Sequence, residues 1–276
     1  MGCRGFATRI KSTIAILACC LVAHHSALAD SQPPIVSWTE IRNGLETAHV
    51  ALHHGTVFSS SIVLVRATPA RYNIRAIRAS QFGWQRASVK ALCKAAGAVA
   101  CINSNFFDEQ GRALGLVMSR GIIHNKVHQG GGTLTGILYA TDKENGIAHR
   151  GSFSFNGVIE AVQAGPRLIA SGAIVEGIKE SSPSSNLSGV CIDAQSRVSL
   201  FRVTSGVFGG SLHSLQKTLI LPAIGCVEAL NFDGGGSSQL FISGEATKPD
   251  AEESLTGEDD VPVALGLFDS AIPTPR

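Results

Sequence analysis

The sequence has 276 residues, 44% of them hydrophobic and 16% charged, with 23 Lys and Arg against 21 Asp and Glu. That length suits one large domain with a substantial core, and the small charge imbalance leaves no electrostatic footprint for nucleic acid or anionic membrane. Setting aside the first 29 residues removes Arg4, Arg9 and Lys11 and no acid, so 20 basic residues face 21 acidic ones and the formal charge moves from +2 to −1.

Those first residues are basic, then apolar over 14–23, then Ala27-Leu28-Ala29. This is the pattern of a cleavable secretory signal over 1–29. The apolar run is well short of the ~20 residues a bilayer-spanning helix needs, and no later run replaces it. The sequence therefore predicts no transmembrane segment and an exported product, periplasmic or secreted, over residues 30–276. Cysteine usage agrees. Cys3, Cys19 and Cys20 leave with the signal, and the even set Cys93, Cys101, Cys191 and Cys226 stays, which permits two disulfides in an oxidising compartment. Four cysteines allow three connectivities, and the closeness of Cys93 to Cys101 favours sequential pairing. No pair has the close spacing of a zinc site. His53-His54 and the His124/His128 pair lack a third ligand and read as ordinary histidines.

Next in the chain, a β-hairpin pattern runs over 62–66, turns at Thr68-Pro69 and returns over 72–78. A helical spacing of apolar residues follows over 86–96, then the strand and loop Cys101-Ile-Asn-Ser-Asn-Phe-Phe-Asp108. A Gly-rich middle stretch holds short alternating segments at 115–118, 135–140, 152–155 and 167–170, read as a β-hairpin insertion. The first pattern then recurs. A hairpin is predicted over 190–193 and 198–203, a helix over 212–221, and then Cys226-Val-Glu-Ala-Leu-Asn-Phe-Asp233, with Cys seven residues before Asp in both copies. An acidic loop over 245–260 should be exposed, and an apolar strand over 261–268 closes the chain. The expected fold is α+β, a single domain in which duplicated hairpin-helix-strand units, about 59–108 and 187–233, form a mixed curved sheet with helices packed on it.

Chemistry concentrates at the ends of the two equivalent strands. Asp233 precedes Gly234, Gly235 and Gly236, whose backbone can bring successive N–H groups close to a ligand, as a nest for an anion such as phosphate. Asn231, Ser237 and Ser238 add polar groups, so Asp233 is the first catalytic candidate. The purely structural reading of Asp-Gly is a tight turn. Asp108 is the second candidate, because equivalent loops of a repeat emerge on one side of a sheet and two carboxylates there would serve acid, base or metal chemistry. Asn103 and Asn105 beside it suit sugar hydroxyls, and Gln163 and Gly165 in Gln163-Ala-Gly-Pro166 could bring backbone to the same cleft. The sequence lacks the Ser elbow, Walker and dinucleotide fingerprints.

At 102–108, 163–166 and 230–238 the sequence resembles the phosphodiester glycosidase family, with the likeness running over roughly 59–268. The resemblance implies cleavage of a sugar from a phosphodiester at the anomeric carbon, with Asp233 central. The sequence calls for no cofactor, with a divalent metal as the alternative. One departure stands out. Many family members carry an Arg followed by Thr or Ser just before the second hairpin, where this chain reads Ser185-Asn186-Leu187-Ser188; Arg167, Arg197 or Arg202 would have to compensate. Three functions are thus in view. The leading one is an exported glycosidase acting on a sugar-phosphodiester or glycan in envelope or exopolysaccharide metabolism. The second is a non-catalytic glycan-binding or polysaccharide-assembly protein, and the third a phosphodiesterase dependent on a divalent metal.

Overall fold

A computed structural model describes residues 1–2, 35–51, 60–179, 185–205, 210–244 and 252–271. The predicted signal and its cleavage site, His53-His54 and the first part of the acidic loop lie outside the described residues. Contacts divide the chain into Met1–Gln32 and Pro33–Arg276, and every element below belongs to the second unit.

In chain order these are β1 (Thr39–Arg42), β2 (Leu45–Ala51), β3 (Ser61–Ala67), β4 (Tyr72–Arg78), α1 (Val89–Ala96) and β5 (Ala100–Asn103). The middle stretch holds β6 (Val117–Ser119), β7 (Ile122–Asn125), β8 (Gly136–Ala140), β9 (Asn145–His149), β10 (Glu160–Ala164), β11 (Arg167–Ala170) and β12 (Ala173–Ile174). Then come β13 (Leu187–Asp193), β14 (Val198–Thr204), α2 (Leu212–Leu219), β15 (Cys226–Asn231), β16 (Leu240–Ile242), β17 (Glu253–Leu255) and β18 (Val263–Asp269). Three sheets result, in the orders β1-β2-β3-β14-β13-β15-β11-β12, β7-β6-β10-β8-β9 and β17-β16-β5-β18-β4.

The sheets share a central core. Val65, Val190, Leu200 and Leu230 of the first sheet meet Leu138 and Val162 of the second and Ile74, Ile102 and Leu265 of the third. The outer face of the first sheet is covered by α2 through Leu215 and Leu219, and that of the third by α1 through Val89, Leu92 and Cys93. Strands β3, β14 and β18 are thus buried on both faces, which is why they read as near-continuous apolar runs rather than alternating ones. Each helix starts on a serine whose hydroxyl accepts an amide of the first turn, Ser88 from Ala91 and Ser211 from Ser214, supplying a donor-satisfying cap. Glu160 on β10 ties the second sheet to β4 by accepting from the Ala76 amide at 2.9 Å.

Several expectations need correction. The segments around Thr68-Pro69 do not form a hairpin, because both edges of β3 are taken by β2 and β14, and β4 pairs with β18 instead. The sheets are not mixed: every pairing among the described residues is antiparallel. The helices do return the chain in parallel, β4 to β5 and β14 to β15, but β18 and β13 insert between them. Residues 153–155 form no strand and pair with no strand among the described residues; Phe153 packs on Tyr139 and Phe155 instead. The acidic loop contributes β17, paired with β16.

Two five-strand arrays nevertheless match in order. Reading β17-β16-β5-β18-β4 against β12-β11-β15-β13-β14 puts a helix-preceded strand, β5 or β15, at the centre of each. The amide of Asn103, ending β5, donates to the Gln239 carbonyl, and that of Asn231, ending β15, donates to Pro166. Asn103 therefore matches Asn231, and Asp233 falls opposite Asn105. The Cys-to-Asp frame, which set Asp233 against Asp108, is offset by three residues from this geometry. The cysteines pair sequentially, Cys93 with Cys101 and Cys191 with Cys226.

Candidate active site

Strand β15 delivers Asp233 to a junction of the first and third sheets. Phe232, fully buried, anchors the strand end. The Asp233 amide donates to the Ser104 carbonyl at 3.1 Å, and its own carbonyl accepts from Asn103 Nδ2 at 2.8 Å and Ser188 Oγ at 2.9 Å. With its backbone held from both sheets, the side chain has little freedom. Its carboxylate accepts from the Gly234 amide at 3.0 Å and from the Ser237 hydroxyl. Burial pushes the Asp233 carboxyl above the usual range; the two hydrogen bonds pull it down, and the negative charge of Asp259 pushes it up again. Desolvation disfavours the charged form of a carboxyl and a like charge adds to it.

The glycine run forms a tight turn at Gly235–Ser237 with Gly235 in the left-handed region (φ +60°). Its donors are mostly engaged within the chain. Gly234 donates to Asp233, Gly235 to Asn186, Ser237 to Gly234 and Ser238 to Gly235, and among these amides only that of Gly236 makes no bond to described residues. The expected row of outward N–H groups is therefore reduced to one, because the last two amides close on the turn's own carbonyls and the first two are taken by the Asp233 carboxylate and the Asn186 carbonyl. Gly236 serves a second purpose. Its carbonyl accepts from Glu258 and Asp259 amides, and the place a Cβ would occupy is filled by the Asp259 carboxylate. Absence of a side chain at position 236 is what lets this second carboxylate sit on the turn.

Asn103 and Gln239 brace the turn from below: the Gln239 amide donates to Asn103 Oδ1, and the Gln239 side chain bridges the Asp259 carbonyl and the Val89 amide. Asn105 donates to the Leu116 and Gln163 carbonyls. Gln163 makes four bonds, accepting from Leu116 and His128 and donating to His128 and Leu134. These amides stitch the second sheet to the site, which leaves none of Gln163's polar atoms for a ligand. Gly165 presents its carbonyl to Asn231 Nδ2, and any side chain there would collide with the Thr133 carbonyl. Two buried polar atoms stand out by contrast, since Asn231 Oδ1 and Ser238 Oγ have no hydrogen-bond partner among the described residues.

Asp108 occupies a different kind of loop. Residues 106–114 fold back as a small turn, with Leu114 donating to Phe106 and Gly111 to Asp108. The Asp108 carboxylate accepts from the Arg112 amide at 2.8 Å and its Nε at 2.7 Å, which hold its pKa below the ordinary value. No described contact joins it to Asp233. The residue beside Asp233 is Asp259, and it lines a polar cleft with Trp84, Gln85, Arg86, Glu258 and Asp260. Sequence reasoning missed Asp259, because a run of acids in a loop reads as solvated surface. The only local signal was a third consecutive glycine, a residue whose missing side chain leaves room for something.

Fold and turn together define a three-sheet antiparallel domain carrying a desolvated carboxylate with a second one beside it. The sequence model of the phosphodiester glycosidase family matches residues 96–268, and this chain belongs to that family. Among solved structures, the chain is similar to the catalytic domain, auto-inhibited by pro-peptide, of zebrafish N-acetylglucosamine-1-phosphodiester alpha-N-acetylglucosaminidase, with TM-score 0.63 and 17% identity over 86% of this chain and 88% of that one. It is similar also to a hypothetical protein from Synechocystis, with TM-score 0.58 and 16% identity over 86% of this chain. The chain spans 64% of the length of that protein. At these identities the likeness is one of fold. Comparison with curated proteins returns no match.

Proposed function

We propose that the protein is an exported glycosidase that releases a sugar from a phosphodiester by breaking the bond at the anomeric carbon, in envelope or exopolysaccharide metabolism. The observation that carries this reading is Asp233, a rigidly held, desolvated carboxylate on a turn within a chain of this family. A phosphodiester anion leaves readily, so the site needs little general acid and a strong nearby negative charge to stabilise an oxocarbenium-like sugar. A carboxylate held in place before reaction and poorly solvated supplies that charge without reorganisation. Asp233 then takes the proton of the attacking water, and Asp259, by raising its proton affinity, makes it the better base. Export is supported by the two disulfides, which persist in oxidising compartments.

A second reading, glycan binding without turnover, is favoured by Ser185-Asn186 standing where many family members carry an Arg. Incubation of the purified protein with a panel of sugar 1-phosphodiesters in ¹⁸O-water separates the readings. The glycosidase reading predicts free sugar bearing the label, in the presence and absence of a chelator. Label in the phosphate together with loss on chelation would identify a metal-dependent phosphodiesterase, and no release from any diester would leave binding.

A further inference from the structure

A phosphodiester needs a positive partner, and nearly all the amides of the glycine turn are already engaged within the chain. The three arginines singled out in the sequence differ in what they already hold. Arg167 pairs with Glu228 at 2.7 Å and Arg197 with Asp193 at 2.6 Å. Arg202 pairs with no carboxylate among the described residues, although it is only 6% exposed and burial lowers its pKa. Its bonds go to neutral acceptors, Nε to the Ser238 carbonyl at 3.3 Å and a terminal nitrogen to Thr204 Oγ1. A buried guanidinium held among the described residues by neutral groups alone lacks there the compensation that buried charges ordinarily receive.

Its placement is specific. Arg202 on β14 stands directly opposite Ser188 on β13, so the two side chains share a face, and Ser188 holds the Asp233 carbonyl. The guanidinium therefore lies under the end of the turn that carries the buried, unpartnered Ser238 hydroxyl. We infer that Arg202 binds the phosphoryl group of the substrate, with Ser238 Oγ and the Gly236 amide as further donors. Arg202 thereby supplies, from the neighbouring strand, the cation missing at 185–186. A guanidinium fork matches the two non-bridging oxygens of a diester. The inference rests on the glycosidase reading for the identity of the ligand, and on the unpaired buried charge for the site.

Calorimetric titration with inorganic phosphate and with glucose 1-phosphate, on wild type, Arg202→Met and Arg202→Lys, tests it without turnover. Both anions should bind the wild type, bind the Met variant at least ~10-fold more weakly, and bind the Lys variant in between. Phosphate should raise the melting temperature of the wild type and not that of Arg202→Met. If the Met variant does not fold, Arg202→Gln takes its place. Equal phosphate affinity in wild type and variant, or no phosphate binding by the wild type, would overturn the role of Arg202. Phosphate binding that depends on Arg202 in a protein that releases no sugar would instead contradict the glycosidase reading and leave this site standing.

Discussion

The loops that follow β5 and β15 start alike and end differently. Each leaves a strand through an asparagine whose amide reaches the neighbouring strand, and each strand follows a serine-capped helix. Beyond Asn103 the chain closes on itself: Asp108 holds both the amide and the side chain of Arg112, and the carboxylate is stabilised as an anion. Beyond Asn231 the chain leaves its charges and polar atoms poorly served. Asp233 is desolvated beside Asp259, and Asn231 Oδ1 and Ser238 Oγ are buried without partners among the described residues. Folding alone would favour the first arrangement, since unsatisfied buried polar groups are destabilising. Under the proposed function, the second loop is the place where a ligand would complete the bonding.

The largest expected effect of breaking this contrast is on rate. Asp233→Asn keeps the shape and removes the charge; if the carboxylate stabilises the transition state, the barrier rises by ~3 to 5 kcal/mol and turnover falls roughly a hundredfold to several thousandfold. Asp108→Asn should change sugar release less than ~3-fold, because its loop makes no described contact with Asp233. Sugar-release rates of both variants at matched stability check this, and a large loss in Asp108→Asn would restore Asp108 to the mechanism.

A smaller effect sharpens the role of Asp259. Its negative charge raises the proton affinity of Asp233, so Asp259→Asn should lower the Asp233 pKa and move the acid limb of the kcat/KM profile to lower pH. The weaker base should also slow turnover, by roughly 2- to 3-fold, since Asp259 is the smallest of the causes acting on Asp233. A pH–rate profile with an unmoved acid limb would remove Asp259 from the site.

Much of this contrast was legible in the sequence, and the rest failed for identifiable reasons. The apolar runs of β13, β14 and β18 and the helical spacing of α1 and α2 gave their elements, since burial on one or two faces leaves a pattern in the chain. The partner of β4 was not legible. The segments around Thr68-Pro69 look like a hairpin locally, and only the occupation of both β3 edges by β2 and β14 excludes it. Asp233 and its glycines announced themselves by composition, whereas the frame that matched Asp233 to Asp108 relied on cysteines that are not structurally equivalent. Asn105 and Gln163 were legible as polar residues in apolar surroundings, which is equally the signature of a brace, and bracing is what their bonds do. Arg202 could be named as one of three arginines, but telling it apart needed the carboxylates that hold the other two.

The most direct test of the contrast is the melting temperature of Asp233→Asn and Asp108→Asn against wild type as a function of pH. Asp233 has a raised folded pKa, so the native state binds more protons than the unfolded chain between the ordinary carboxyl value, about 4, and that raised value. Stability therefore falls as pH rises through this window, and above it the fold carries a charge it disfavours. Asp108 has a lowered folded pKa, so its stabilisation is fully present above about pH 4 and is lost as pH falls through the folded value. At neutral pH, Asp233→Asn should melt higher than wild type and Asp108→Asn lower, and both differences should shrink toward zero in acid. Two shifts of the same sign at neutral pH, or a less stable Asp233→Asn, would contradict the claim that one loop is built for stability and the other against it.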